Sequence, residues 1–505
     1  MHPFDVAIVV LYLGFIAGLG LYFARRQNST EAYFLAGRNI PGWVVGFSIM
    51  GTICSSATFI GHPGNVFHDN LYLLPAHLVP LVVMLVIARR VVTFYRHTVR
   101  MTAYEYLEQR FGYLARVYGA GTFLLGRTAD VSVTYYFLAL ATAYLTGWNV
   151  FAVIIVLGAI TVLYTVVGGI EAVVWTDVIQ GIFLVGGGLT CIFLVLFGSA
   201  AAPGDVITAA WEGDKFSIDR WEWDFVQNNQ WILIIGAAFL WLQALISDQG
   251  NVQRYLLARS DEEAVRGATL GVGACIPVWI IFMVLGGLLW GYYQVGSVQI
   301  PAEVVANKDQ IVPYFIKTQF PIGLKGLMLA ALIAAAMSSL DSDLNAMATV
   351  VVNDFYTRLR PNAPDRQQLW VGKCTVVLLG VASILLALQW TKISNPSLVE
   401  FFFSMAMIVT GGILALFALG MLFKWTTATG ANAGIIACVL LTAWATLTHV
   451  ELPSTGARIL DLGRFNYTWS PVLIGVLGHL ALVTVGLSAS AFQRRIKRSA
   501  DESEN

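Results

Sequence analysis

Stretches of about twenty apolar residues recur along this chain of 505 residues, and a bilayer core of about 30 Å needs about that many for one helical crossing. Candidate spans lie near 5–24, 41–66, 73–95, 115–146, 148–168, 173–199, 230–250, 267–291, 323–352, 370–390, 399–423, 429–449 and 470–491. Composition agrees: 57% of residues are hydrophobic and only 12% charged, against about 25% charged in soluble domains. The chain is therefore a polytopic, all-α membrane protein of about thirteen helices, and a soluble enzyme is excluded. Thirty basic and thirty acidic groups cancel, leaving no basic field for nucleic acid. Neither a Walker A pattern nor H-E-x-x-H occurs, so ATP-driven transport by this chain alone and zinc proteolysis have no support. Cys54, Cys191, Cys275, Cys374 and Cys438 all sit in apolar stretches, which reads as packing and not as a disulfide framework.

The first span lacks a basic n-region and is followed by Arg25 and Arg26, so it reads as a retained helix and not a signal peptide. With the N-terminus placed outside, alternate loops divide Lys and Arg into 21 inner and eight outer residues, and Arg127 remains inside a span. By the positive-inside rule this predicts N-out and C-in, in a plasma (inner) membrane. The long outer loops, 200–229, 292–322 and 450–469, carry tryptophans and Pro301 and are expected to hold short surface helices.

Two spans are interrupted by polar residues. The second runs from Gly51 through Cys54, Ser55, Ser56, Thr58, Gly61, His62 and Pro63 to Gly64; the seventh runs from Trp241 and Gln243 through Ser247, Asp248, Gln249 and Gly250 to Asn251. Irregular backbone at membrane depth is tolerated only where it lines a cavity. Breaks five spans apart, at matching positions of two five-helix halves, point to a transporter binding site. The plainer alternative is a proline kink in one and an early helix end in the other.

The ninth span carries Ala335, Ser338, Ser339, Asp341, Ser342, Asp343 and Asn345. Positions 338, 341, 342 and 345 share one helical face. A carboxylate near mid-membrane costs at least about 2.5–3.5 kcal/mol and usually marks an ion or substrate path. Hydroxyls and a carboxylate offer hard oxygen ligands to a small cation, whereas a packing face of small residues explains the alanines but not the acids. Asp177 is a second candidate, although an acid in a helix's first turn is favoured by the dipole anyway. Arg127 is either an anion anchor or a snorkelling side chain, and His77 either faces the same cavity or is a satisfied core histidine.

These residues give the chain its resemblance to the sodium:solute symporter family, which includes sodium/glucose, sodium/proline and sodium/sialic acid transporters. The matching stretches are Glu31 to Arg38, Gly46 to Phe59, Gly168 to Gly181, Val252 to Arg254, and Ala335 through Ser338 and Ser339 to Tyr356. The resemblance implies a LeuT-like core of inverted five-helix repeats. The divisions are an extra N-terminal helix and inner loop (1–40), a first repeat (41–199), an outer loop (200–229), a second repeat (230–425), and two C-terminal helices with a short tail (426–505). It implies sodium bound by Gly51, Cys54, Ala335, Ser338 and Ser339, and a candidate second sodium site at Asp177, Asp341 and Ser342, where relatives carry a hydroxyl or small residue in place of Asp341.

The same resemblance puts the solute against Ser55, Thr58, Leu73, His77, Arg127, Trp241 and Gln243. Sugar-type relatives carry Asn and Tyr where this chain has Trp241 and Ala244, so the pocket slightly favours an organic anion over a plain hexose. The expected function is sodium-coupled import of a sugar, sialic acid or other organic anion, with Na+ as coupling ion. No organic cofactor, nucleic acid, catalysis or obligate protein partner is expected. The rivals are proton coupling through Asp341 or Asp177, a transporter-like solute sensor and, last, a membrane-embedded enzyme.

Overall fold

A computed structural model describes residues 1–25, 27–198, 201–224, 226, 229–296, 299–391, 411–451 and 457–504. Its main helices are α1 (Pro3–Ala24), α2 (Gly42–Ile53), α3 (Ser56–His68), α4 (Leu74–Thr98), α5 (Tyr113–Thr146), α6 (Val150–Phe197), α7 (Gln230–Ser247), α8 (Gln249–Leu257), α9 (Asp261–Val295), α10 (Leu324–Val350), α11 (Asp365–Trp390), α12 (Ile413–Leu422), α13 (Ala428–His449) and α14 (Val472–Glu504). Among the described residues nine helices are long and apolar enough to cross a membrane, or ten when α2 and α3 count as one bent span. The first part of the expected eleventh span, 399–410, lies outside the described residues.

The 48 residues of α6 would measure about 72 Å at 1.5 Å per residue, far more than one crossing. Gly169, at φ 60° and ψ −166°, divides it, between the expected spans 148–168 and 173–199. Both expected breaks are present. α2 ends at Cys54, which takes the extended φ −90°, ψ 98°, and α3 departs at 54° to it. α7 ends at Asp248, which is extended (φ −83°, ψ 123°) and caps α8 by accepting from Gly250 N–H.

α10 is the axis of the bundle: it is buried along almost its whole length and packs on α6, α5, α1 and α2. α1 fastens its start, since the buried Asp5 accepts from Gly323 N–H at 2.7 Å and Gly326 N–H at 3.0 Å. Beyond α10 a π turn, Val351–Tyr356, presents Asp354 to Arg116 at 2.6 Å and to the Thr102 hydroxyl at 2.7 Å. α2 and α9 cross through glycines on both sides. A Cβ on Gly267 would stand 2.4 Å from the Gly42 carbonyl oxygen, and one on Gly271 2.5 Å from that of Gly46, so the backbones touch as small-residue motifs allow.

The expected outer-loop helices are found at Pro203–Glu212, Ala302–Ala306 and Ile311–Gln319. Lys215, in the first of these loops, donates to the carbonyls of Phe67 at 2.9 Å, His68 at 3.4 Å and Asp69 at 2.9 Å. It thereby supplies a cation to the C-terminal end of α3. All five cysteines are free thiols.

Candidate functional site

The last four carbonyls of a helix have no partner within it, and at the α2 break α10 meets them. The Ser338 hydroxyl lies 2.8 Å from the Gly51 carbonyl oxygen and 3.1 Å from that of Ala335. The Ser339 hydroxyl lies 3.1 Å from the Thr52 carbonyl oxygen. Gly51, Ala335, Ser338 and Ser339 are thus brought together as the sequence led one to expect, with buried Cys54 at the break itself. The Thr52 carbonyl in this group had no sign in the sequence; nothing in a side chain announces a backbone oxygen, and only the hydroxyl opposite it identifies the position. Five neutral oxygens meeting between two helices form a donor set that suits a hard monovalent cation.

One turn further along α10 the chemistry changes from neutral to charged. Asp177 on α6 accepts from the Ser48 hydroxyl at 2.5 Å and from Arg254 at 3.3 Å. Arg254 also donates to Ser48 at 2.8 Å, to the Gly250 carbonyl at 2.8 Å, and to the hydroxyl of Ser342. Asp341 accepts from the hydroxyl of Tyr164. The Oδ1 atoms of both Asp177 and Asp341 are buried with no hydrogen-bond partner. Counting Arg254 among the inner-loop cations needs correction. The side chains of Arg254 and Asp177 are both 0% exposed, because α8 runs back into the protein and its arginine answers an acid on α6.

Four of the seven expected solute residues, His77, Trp241, Gln243 and Arg127, line two cavities whose walls share Leu240 and Gln243. A cavity of about 450 Å³ is lined by His77, Trp241, Gln243 and His479 among others. There the His77 ring meets His62 edge-on at 4.7 Å and Trp279 at 4.9 Å, and Trp241 stands 5.7 Å from Trp279. A cavity of about 360 Å³ is lined by Tyr104, Arg127, Asp130, Gln243, Ser247 and Asp248, with others. Neither is lined by Ser55, Thr58 or Leu73. Ser55 caps α3 by accepting from Ala57 N–H, Thr58 is buried, and the Leu73 carbonyl lies 2.8 Å from His77 Nδ1.

Arg127 is neither free nor snorkelling. It pairs with Asp248 at 2.6 Å, Asp130 at 3.2 Å and Asp343 at 3.4 Å. Asp248 and His62 were read from the sequence as residues of the span breaks, not as partners of Arg127 and His77. Asp248 had a signal in its place at the helix break, whereas His62 was visible only as one polar residue beside Pro63.

The family model for the sodium:solute symporter family matches residues 33–438. The sodium/sialic acid symporter NanT of Aliivibrio fischeri is 29% identical over 96% of this chain and 92% of its own length. SiaT of Proteus mirabilis, also a sodium/sialic acid symporter, is 30% identical over 100% and 99%. A solved structure of a sodium-coupled sialic acid symporter, substrate-bound and outward-open, superposes with a TM-score of 0.86 at 29% identity, covering 97% of this chain and 98% of that one.

Proposed function

This chain belongs to the sodium:solute symporter family and is a multi-pass, sodium-coupled transporter of a small organic solute with a LeuT-like fold; from that premise we propose which of its residues bind the ion and the solute. The coupling sodium is held where the α2 break faces α10, by the hydroxyls of Ser338 and Ser339 and the carbonyls of Gly51, Thr52, Cys54 and Ala335. The observation that carries this is the approach of Ser338 to Gly51 and Ala335, at 2.8 and 3.1 Å. An ion there would tie the broken span to the axis of the bundle and favour one arrangement of the two. The repeats are 41–199 and 230–425, with the N-terminus outside and the C-terminus cytoplasmic. The solute enters the cavities walled by His77, Trp241, Gln243 and Arg127.

The cluster beside Ser342 supports a second sodium. Asp177 and Asp341 are two acids against the single guanidinium of Arg254, and each keeps one buried oxygen without a partner. One further monovalent cation would balance that charge. Each charge moved down 100 mV supplies about 2.3 kcal/mol, or about fifty-fold accumulation at 1.4 kcal/mol per decade.

Thermal unfolding of the purified protein in sodium and in potassium tests the first site. A ligand at a hundred times its Kd stabilises the folded state by about 2.7 kcal/mol. The sodium-dependent rise in midpoint is expected in the wild type and lost in Ser338→Ala, with the potassium midpoint little changed. An undiminished sodium effect in Ser338→Ala would remove the ion from this shell. No sodium effect in the wild type would move the coupling role to protons on Asp341 or Asp177.

A further inference from the structure

The charge around Arg127 does not balance. A guanidinium remains charged in any protein environment, and this one faces three acids. Asp248 Oδ2 takes two of its donors, at 2.6 and 3.2 Å, Asp130 Oδ2 lies at 3.2 Å and Asp343 Oδ2 at 3.4 Å. The Asp248 Oδ1 atom accepts from Gly250 N–H at 2.8 Å. Asp343, only 4% exposed, has a buried Oδ1 with no hydrogen-bond partner. Both Oδ1 atoms lie near Gly250, where a Cβ would stand 2.9 Å from that of Asp248 and 4.0 Å from that of Asp343. Beside them opens the cavity of about 360 Å³ that Arg127, Asp130 and Asp248 help to line.

An organic anion entering this cavity meets a guanidinium already doubly bonded to Asp248. To use it, the anion must displace one carboxylate and then lie among three, and like charges in a partly desolvated site repel strongly. A cationic group meets the opposite situation. It adds the positive charge the cluster lacks and can lie against Asp248 and Asp130 in the cavity wall. The adjoining cavity is lined in part by Trp241, and an indole ring attracts cations.

We infer that the transported solute carries a cationic nitrogen, an ammonium or quaternary ammonium group, which seats against Asp248 in the cavity wall beside Arg127, with the buried charge of Asp343 behind that arginine. This rests on the reading of the chain as a sodium:solute symporter and names the substrate class of that same site. Arg127 then positions the acids, and it can meet a carboxylate only on a solute that brings its own positive charge as well.

The test uses the full-length protein in liposomes under an inward sodium gradient, with solute-evoked current as the signal. The probes are choline, glycine betaine and L-lysine against N-acetylneuraminate, lactate and glucose. At least one cationic-nitrogen probe is expected to evoke a sodium-dependent current, half-saturating at a concentration at least tenfold below any of the other three. Asp343→Asn should raise that probe's half-saturating concentration at least tenfold while the sodium-dependent thermal shift persists. Asp248→Asn serves if Asp343→Asn does not accumulate, and stabilisation of the wild type by the probe needs no variant at all.

Current with an anion or glucose but with none of the amines overturns the inference, as does silence from all three amines. So does an Asp343→Asn response that matches the wild type, or an effect of that variant on sodium alone, which would make the cluster an inorganic cation site. In each case a persisting sodium shift leaves the symporter reading standing; its absence in the wild type is the separate failure of that reading.

Discussion

Two arginines, Arg254 and Arg127, each pair with at least one acid from a distant part of the chain, and they differ in what surrounds them. Arg254 is sealed: its side chain and that of Asp177 are wholly buried, and its guanidinium also reaches Ser48, Ser342 and the Gly250 carbonyl. Arg127 stands in a cavity wall with 24% of its side chain exposed, and one of its acids, Asp130, is 53% exposed. The same ion chemistry therefore has two different consequences. In the sealed cluster the charges join α8, α2, α6 and α10 into one unit, and only something the size of a bare ion can join them. In the open cluster a solute can reach the charges, so their imbalance becomes a rule about which solutes are accepted.

Substitutions that remove one member at a time break the comparison at its strongest point first. Arg254→Ala leaves Asp177 as a buried charge without its counter-ion, a change that typically costs about 3–5 kcal/mol. It should appear as a large fall in the thermal midpoint or in folded yield. Arg254→Lys should recover little of it, because an ammonium cannot reproduce the fork that reaches Ser48, Gly250 and Ser342 together. A midpoint unchanged in Arg254→Ala would mean that the cluster is not sealed.

Gly267→Ala touches neither arginine and serves as a reference. Its new methyl would lie 2.4 Å from the Gly42 carbonyl oxygen, and overpacking of that kind costs about 1–3 kcal/mol. Asp130→Asn should be the mildest, within about 1 kcal/mol, because an ion pair this exposed contributes little. A denaturation series in which Asp130→Asn costs more than Arg254→Ala would reverse the order of sealed and open.

Much of the architecture was legible because lipid imposes it. Uninterrupted apolar length marks the helices, and polar residues at mid-span mark the breaks, so Cys54, Asp248 and the face bearing Ser338 could be found from the sequence. Partnership could not. Asp248 is 121 residues from Arg127 and Asp343 is 216 residues away, and no local pattern announces that the three will meet. Arg254 was legible as a cation and misleading as a location: positive charge near a span end normally faces the cytoplasm, and only the turn of α8 back into the bundle brings it to Asp177. Thr52 contributes a backbone oxygen, for which the identity of the side chain carries no signal.

The glycine crossing of α2 on α9 has a mechanical consequence. Where side chains separate two helices, a shift of one can be taken up by a change of rotamer before the other responds. Between Gly42, Gly46, Gly267 and Gly271 there is no rotamer to change, and backbone bears directly on backbone. A tilt of α9 must then arrive at the far end of α2, where Gly51 and Thr52 face Ser338 and Ser339, without lost motion. The joint works as a gear without backlash, with its teeth at one end of the helix and the contact with the Ser338 and Ser339 hydroxyls at the other.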